Sequence, residues 1–217
     1  MNGFFTQMRG FLGIFALAAA LYPSVAAGAS APINVPFTSQ APRGSWVSPW
    51  KDYCEEGSVV MAAHFIWGAP LTPEIAELEM GIIRQFEIAA FGRWRDTGIE
   101  QTADILRRLY GFSGISTAVI SSPEEIKAAL AAGNVVIAPT AGRLLKNPFF
   151  TPPGPVYHMI VIRGFDRAKK EFIVNDPGTR RGDGLRYAEE ILFNAIHDLN
   201  SGDTLHGAKR VMVVGRN

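Results

Sequence analysis

The spacing of apolar residues changes near the middle of this chain, and that change limits the folds open to it. Up to about residue 111 apolar residues recur every three or four positions between helix start and stop signals. From residue 115 they come in short β-branched runs. A helix from residue 53 to about 67 stops at Gly68 and Pro70. Thr72-Pro73-Glu74 opens a second, with Ile75, Leu78, Ile82 and Phe86 on one face. A capping box of Thr97 and Glu100 starts a third that runs to Gly111. Residues 33 to 40, broken by Pro36, suit a short edge strand. In the second half, residues 115 to 120, 135 to 139, 157 to 165, 171 to 174 and 209 to 214 read as strands. Helices begin at Ser122-Pro123 and near residue 188, the first ending at Gly133 and the second at about residue 199. Helices first and hairpin-joined strands afterwards specify an α+β fold with a mostly antiparallel sheet. No glycine fingerprint or βαβ alternation points to a nucleotide-binding sheet.

The chain is 217 residues long and 47% hydrophobic, enough for one domain with an ample core. Its net charge is +1, with no dense Lys/Arg stripe, which argues against a nucleic-acid partner. Arg9 precedes an apolar run over residues 11 to 22 and the small residues Ser-Val-Ala-Ala-Gly-Ala at 24 to 29, the pattern of a secretory leader cleaved after Ala27 or Ala29. We therefore expect residues 1–29 to be a signal peptide and residues 30–217 a soluble monomer, periplasmic or secreted. The apolar run is about half the roughly 20 residues that span a bilayer, so stable membrane insertion is not expected.

Export sharpens the meaning of Cys54, the only cysteine. Exported chains usually pair their cysteines, and this one has no partner in its own chain, which suits a reactive thiol better than a structural one. Asp52 and Glu55 can form a capping box that places Cys54 in the first helical turn. There the free backbone N–H groups favour a thiolate, the attacking species. Glu55 and Glu56 oppose ionisation, so an imidazolium partner is needed. The competing reading is a small buried hydrophobe. Trp46 and Trp50 flank the approach to Cys54, either wedging the loop onto the core or lining a substrate groove. Two further connections carry aromatic residues, 89 to 96 with Phe91 and Trp94, and 141 to 156 with Phe149 and Phe150. Both are expected to flank a cleft and supply apolar specificity pockets.

A catalytic thiol needs a base, and the base an acceptor that orients it. His64 lies ten residues along the same helix as Cys54 and cannot reach back; His197 and His206 suit surface or capping roles. His158 stands at the mouth of an apolar strand. An antiparallel hairpin turning on Arg167 would set it opposite Asp176, with Cβ atoms roughly 4.5 to 5.5 Å apart. A β-bulge would spoil that register.

The segments Val-Pro-Phe-Thr-Ser-Gln (35 to 40), Cys-Glu-Glu-Gly-Ser (54 to 58), Tyr-His-Met-Ile-Val-Ile-Arg-Gly-Phe-Asp (157 to 166) and Val-Asn-Asp-Pro-Gly (174 to 178) resemble the bacterial bacteriocin-processing, double-glycine-leader peptidases, in their stand-alone branch, within the papain-like cysteine peptidases. The resemblance covers nearly all of the expected mature chain. It implies a papain-like fold, with the cysteine at a helix N-terminus packed on the sheet, and a hydrolase that needs no cofactor and acts on a peptide or protein. It also implies Cys54 as nucleophile, His158 as general base and acid, Asp176 as its orienting residue and Gln40 as the oxyanion-stabilising glutamine. Glu55 and Glu56 depart from the Cys-Gly of many members, with consequences for the thiol and for substrate charge. The bacteriocin processors are fused to membrane transporters, whereas no membrane-spanning segment is expected in this sequence, so leader cleavage coupled to export is not expected. An amidase or acyltransferase acting on cell-wall or γ-glutamyl peptides would use the same groups, and a non-catalytic peptide-binding module would keep only the cleft.

Overall fold

In the computed structural model, helix α1, Cys54–Trp67, is buried on every side from Cys54 to Phe65. Small and apolar residues all round its circumference make it a central helix rather than an amphipathic one. It stops where Gly68 turns left-handed at φ 64°. The structure describes residues 31–199 and 202–216, so the expected leader lies outside the described residues.

Helix α2, Pro73–Phe91, starts as the sequence indicates, with the Thr72 hydroxyl accepting from the Ile75 N–H and Pro73 in the first turn. Its buried face is different from the expected one. Ala76, Met80, Ile83 and Glu87 point inward, while Leu78 and Ile82 are exposed. The two stripes share the same spacing and differ by about one residue of rotation. A glutamate in the inner stripe disguises it as the polar one. The helix also takes in residues 89 to 91 of the expected connection. Helix α3, Ile99–Asp104, follows, continuing as a π turn over Ile105–Leu109. Gly98 rather than Thr97 precedes it, its N–H donating to Gln101 Oε1 at 3.4 Å. Thr97 is buried, its hydroxyl 3.2 Å from that of Thr102.

Six strands follow: β1 Ile115–Val119, β2 Val135–Ala141, β3 Tyr157–Asp166, β4 Glu171–Asn175, β5 Leu185–Ala188 and β6 Arg210–Val214. They form one sheet in the order β1-β6-β2-β3-β4-β5, every neighbouring pair antiparallel. Helix α4, Pro123–Ala131, joins β1 to β2 behind a Ser122/Glu125 capping box. Helix α5, Glu189–Ala195, is shorter than expected: Ile196 instead forms a bridge with Thr140. Val135, Ile137, Met159 and Val161 pack toward α1, α2 and α3, while Val136, Ile160, Ile162 and Val174 pack with residues of α4 and α5. Cover on both faces explains why β2 and β3 read as unbroken apolar runs instead of alternating.

Residues 33 to 40 are not a strand. Their path is still fixed, because Ile33 N–H donates to Arg163 O at 2.8 Å and Asn175 Nδ2 to Val35 O at 3.1 Å. Arg163 occupies the bulge between Ile162 and Gly164. The segment follows this interrupted ladder and brings Gln40 to the start of α1.

Candidate active site

A 3-10 turn, Trp50–Asp52, leads into α1, and Tyr53 provides no side-chain cap. The expected capping box does not form, because both of its members are engaged elsewhere. Asp52 accepts from Arg95 at 2.7 Å and from the Ser48 hydroxyl at 3.2 Å. Glu55 turns into the protein, where Oε1 accepts the Thr97 N–H at 3.1 Å and Oε2 the Cys54 thiol at 2.9 Å. Thr97 O in turn accepts from Tyr157 Oη at 2.9 Å, tying this corner to the start of β3.

These contacts determine the state of the thiol. Burial pushes the Cys54 pKa well above its ordinary value, and the carboxylates of Glu55 and Glu56 add to the effect; the Met159 backbone N–H, which reaches the sulfur, works against it. The free N–H groups of the first helical turn are thus outweighed. Burial and the neighbouring carboxylates therefore favour a protonated thiol hydrogen-bonded to Glu55 over the thiolate that its position in the helix suggests. Glu55 is itself pushed up to about 7, first by burial, with the Cys54 hydrogen bond opposing.

Deeper in, Glu56 and Glu87 form a second carboxyl pair. Their four carboxyl oxygens are buried and receive no donor from elsewhere in the described protein, yet the two groups contact each other. The arrangement requires at least one proton, shared between the two groups. Burial pushes both pKa values up.

His158 and Asp176 are both buried, and His158 Nε2 lies 2.7 Å from Asp176 Oδ1. The contact matches the sequence expectation, but the register behind it does not. Residues 167 to 170 make the turn, with Lys170 at φ 54°, and the bulge at Arg163 shifts the ladder. Val161 then pairs with Asn175 and Ile162 with Val174, which sets His158 level with Gly178. Asp176 reaches the ring from the turn after β4. Its N–H donates to Gly182 O at 3.0 Å, and Gly178 N–H folds back onto Oδ1 at 2.9 Å. Gly178 must be glycine here, since a Cβ would lie 2.7 Å from His158 Cε1 and 2.8 Å from Phe150 Cε1.

On its other oxygen Asp176 accepts from Tyr187 Oη at 2.7 Å and Asn147 Nδ2 at 3.0 Å. Burial works to raise the Asp176 pKa, but the charge and hydrogen bond of His158, with Tyr187 and the Gly178 N–H, outweigh it and hold the carboxyl below its ordinary value. Tyr187 and Asn147 escaped the sequence reading. A lone buried aromatic in the polar stretch 180 to 190 was the available signal for Tyr187; Asn147, deep in a long loop, had none.

Gln40, Cys54 and His158 line one cleft of about 960 Å³, with Asp176 directly behind the imidazole. The backbone N–H of Gln40 donates to Pro177 O at 2.9 Å and its side-chain Nε2 to Trp50 O at 3.1 Å, so it bridges the Asp176 turn and the approach to α1. Trp46 and Phe149 also line the cleft. Trp50 and Trp94 do not. They pack on the core and clasp Tyr53 edge to face, with ring centroids 5.2 and 5.5 Å away. Of the expected flanking connections, 89 to 96 contributes Arg93 and Asp96 instead of Phe91 and Trp94, and 141 to 156 contributes Phe149, Phe150, Thr151, Pro155 and Val156. No hydrogen bond joins Cys54 Sγ to His158 among the described residues; with Nε2 on Asp176, Nδ1 is the ring nitrogen left for chemistry. His64 pairs with Glu79 at 3.0 Å, His197 accompanies Gly207 O at 2.9 Å, and His206 pairs with Asp203 at 2.8 Å. Among the described residues no cluster of three or more His, Cys, Asp or Glu is arranged to hold a metal ion.

No curated protein matches the chain. Among solved structures it is similar to a Bacillus anthracis protein assigned as a C39-like peptidase. The TM-score is 0.55 and the identity 14%, over 85% of this chain and 96% of that one, which establishes the shared fold. The family model described as the Peptidase C39 like family matches residues 32–197. That span takes in Gln40, Cys54, His158 and Asp176, and the chain belongs to this C39-like branch of the papain-like cysteine peptidases.

Proposed function

We propose that the protein is an exported cysteine peptidase that hydrolyses a peptide bond through an acyl-enzyme on Cys54. The observation that carries this reading is the buried His158–Asp176 pair, 2.7 Å apart, on the same cleft as a thiol at a helix N-terminus. The cycle begins when the thiol turns from Glu55 to His158, whose Nδ1 takes the proton while Asp176 holds Nε2–H. The thiolate attacks the substrate carbonyl carbon. Negative charge develops on its oxygen, close to the Cys54 backbone N–H and the Gln40 side chain, one N–H of which remains beyond that held by Trp50 O. His158 gives its proton to the departing amine, leaving an acyl-thioester. Water then attacks with His158 again as base, releasing the acid and restoring the thiol. Residues 1–29 support export, and monomeric action on a peptide or protein completes the reading.

The test is alkylation of the native protein by iodoacetamide, followed by intact mass across about pH 5 to 9. Native Cys54 should react, with a pH profile that moves in His158→Ala. Reaction only after denaturation, or a profile indifferent to His158, would refute the assignment.

A further inference from the structure

More cations than acids line the cleft. Four exposed cations line it: Lys51 and Arg93 from the helical half, Arg180 and Arg181 from the turn after Asp176. No carboxylate lies within 4 Å of any of them among the described residues. The cleft's own acids are Asp52 and Asp96, and Asp52 is already taken by Arg95 at 2.7 Å. Glu55 and Glu56, the two glutamates next to the nucleophile, do not line the cleft; they are buried behind it. Two of the cations are also held in place. Arg180 donates to Gly44 O at 2.8 Å, and the Arg181 guanidinium lies 5.1 Å from the centre of the Phe149 ring. Each retains N–H groups in the planar fork that suits a carboxylate. Unpaired like charges in a concave site concentrate the field they present to a ligand.

We propose, resting on the peptidase reading above, that the substrate is an acidic peptide segment whose Asp or Glu side chains are met by Arg93 and Arg181. The sites of charge recognition are then separate from the groups that do chemistry, and the carboxyls behind Cys54 tune the thiol without facing the ligand.

The experiment uses full-length Cys54→Ala protein, so that binding is read without turnover, and fluorescein-labelled peptides of equal length carrying Glu, Ser or Lys around a common centre. Anisotropy should show the Glu peptide binding about tenfold tighter than the Lys peptide at low salt, the worth of two or three exposed charge pairs. Raising the salt should shrink that preference, and the Arg93→Glu/Arg181→Glu double variant should abolish it. Equal binding, a preference that survives in the double variant, or displacement of the Glu peptide by duplex DNA of equal charge would overturn the proposal. The two readings fail separately. Charge-selective binding with no cleavage by the unmutated enzyme would sink the peptidase and spare the cleft, whereas equal cleavage of Glu and Lys peptides would do the reverse.

Discussion

Asp176 accepts four hydrogen bonds on two oxygens, and those donors decide what an amide would do in its place. Gly178 N–H is fixed on Oδ1 beside His158 Nε2, so an Asn side chain must put its carbonyl there. Its NH₂ would then meet Asn147 Nδ2, which cannot flip freely because Asn147 Oδ1 accepts the Phe149 N–H at 2.8 Å. The imidazole keeps an acceptor opposite Nε2–H and with it the working tautomer, at the expense of one donor–donor clash. We therefore expect Asp176→Asn to keep kcat/KM within about tenfold, while Asp176→Ala loses roughly a hundredfold or more by leaving the base unoriented. Equal loss in the two variants would show that Asp176 does not act through the ring. Glu55 makes the complementary prediction. Replacing it with Gln removes the negative charge nearest to Cys54 Sγ, so the thiol pKa should fall and alkylation near pH 7 should quicken. An unchanged alkylation profile would mean that Glu55 does not hold the thiol proton.

At the scale of elements, α1 and α2 meet through buried carboxyls, and this contact makes stability depend on pH. Burial pushes Glu87 up to about 8 from an ordinary 4.5, moves Glu55 to about 7, and raises Glu56 as well. A raised carboxyl binds its proton more tightly in the folded state. Its contribution is therefore complete below about pH 4.5 and is lost as pH climbs through the folded values. Asp176 has the opposite sign, since its lowered pKa contributes above its ordinary 3.8 and is lost as pH falls through the folded value. Urea midpoints should accordingly be highest in mild acid and decline toward pH 8, and Glu87→Gln should flatten that decline; a midpoint that rises from about pH 5 to about pH 8 would contradict the shared proton. The same pair explains what the sequence concealed. Caps, stops and β-branched runs are local signals, and they placed α1, α2, α4 and most strands. The inner face of α2 depends on a partner in another helix, which only the folded chain provides. So does β5, four residues long with only Tyr187 buried. The β3–β4 register depends on a bulge at Arg163, for which Gly164 within an apolar strand is the one local hint, so the His158–Asp176 contact was anticipated through a pairing that the protein does not use.

Across the whole molecule, the helical half supplies the thiol and the sheet half the base, and Gln40 is hydrogen-bonded to both. Cys54 and His158 were legible from residue type and local position, whereas Gln40 entered only through the resemblance of its segment to the peptidase family. The inward turn of Glu55 was not legible, because a glutamate in a first helical turn ordinarily faces solvent. The central claim is that peptide hydrolysis here depends on Cys54. Its most direct test is to incubate the unmutated protein and Cys54→Ala with a mixed-sequence peptide library and identify new termini by mass spectrometry. The account predicts a defined set of cleavages from the unmutated protein and none from a folded Cys54→Ala. The same products from both, or none from either, would contradict it.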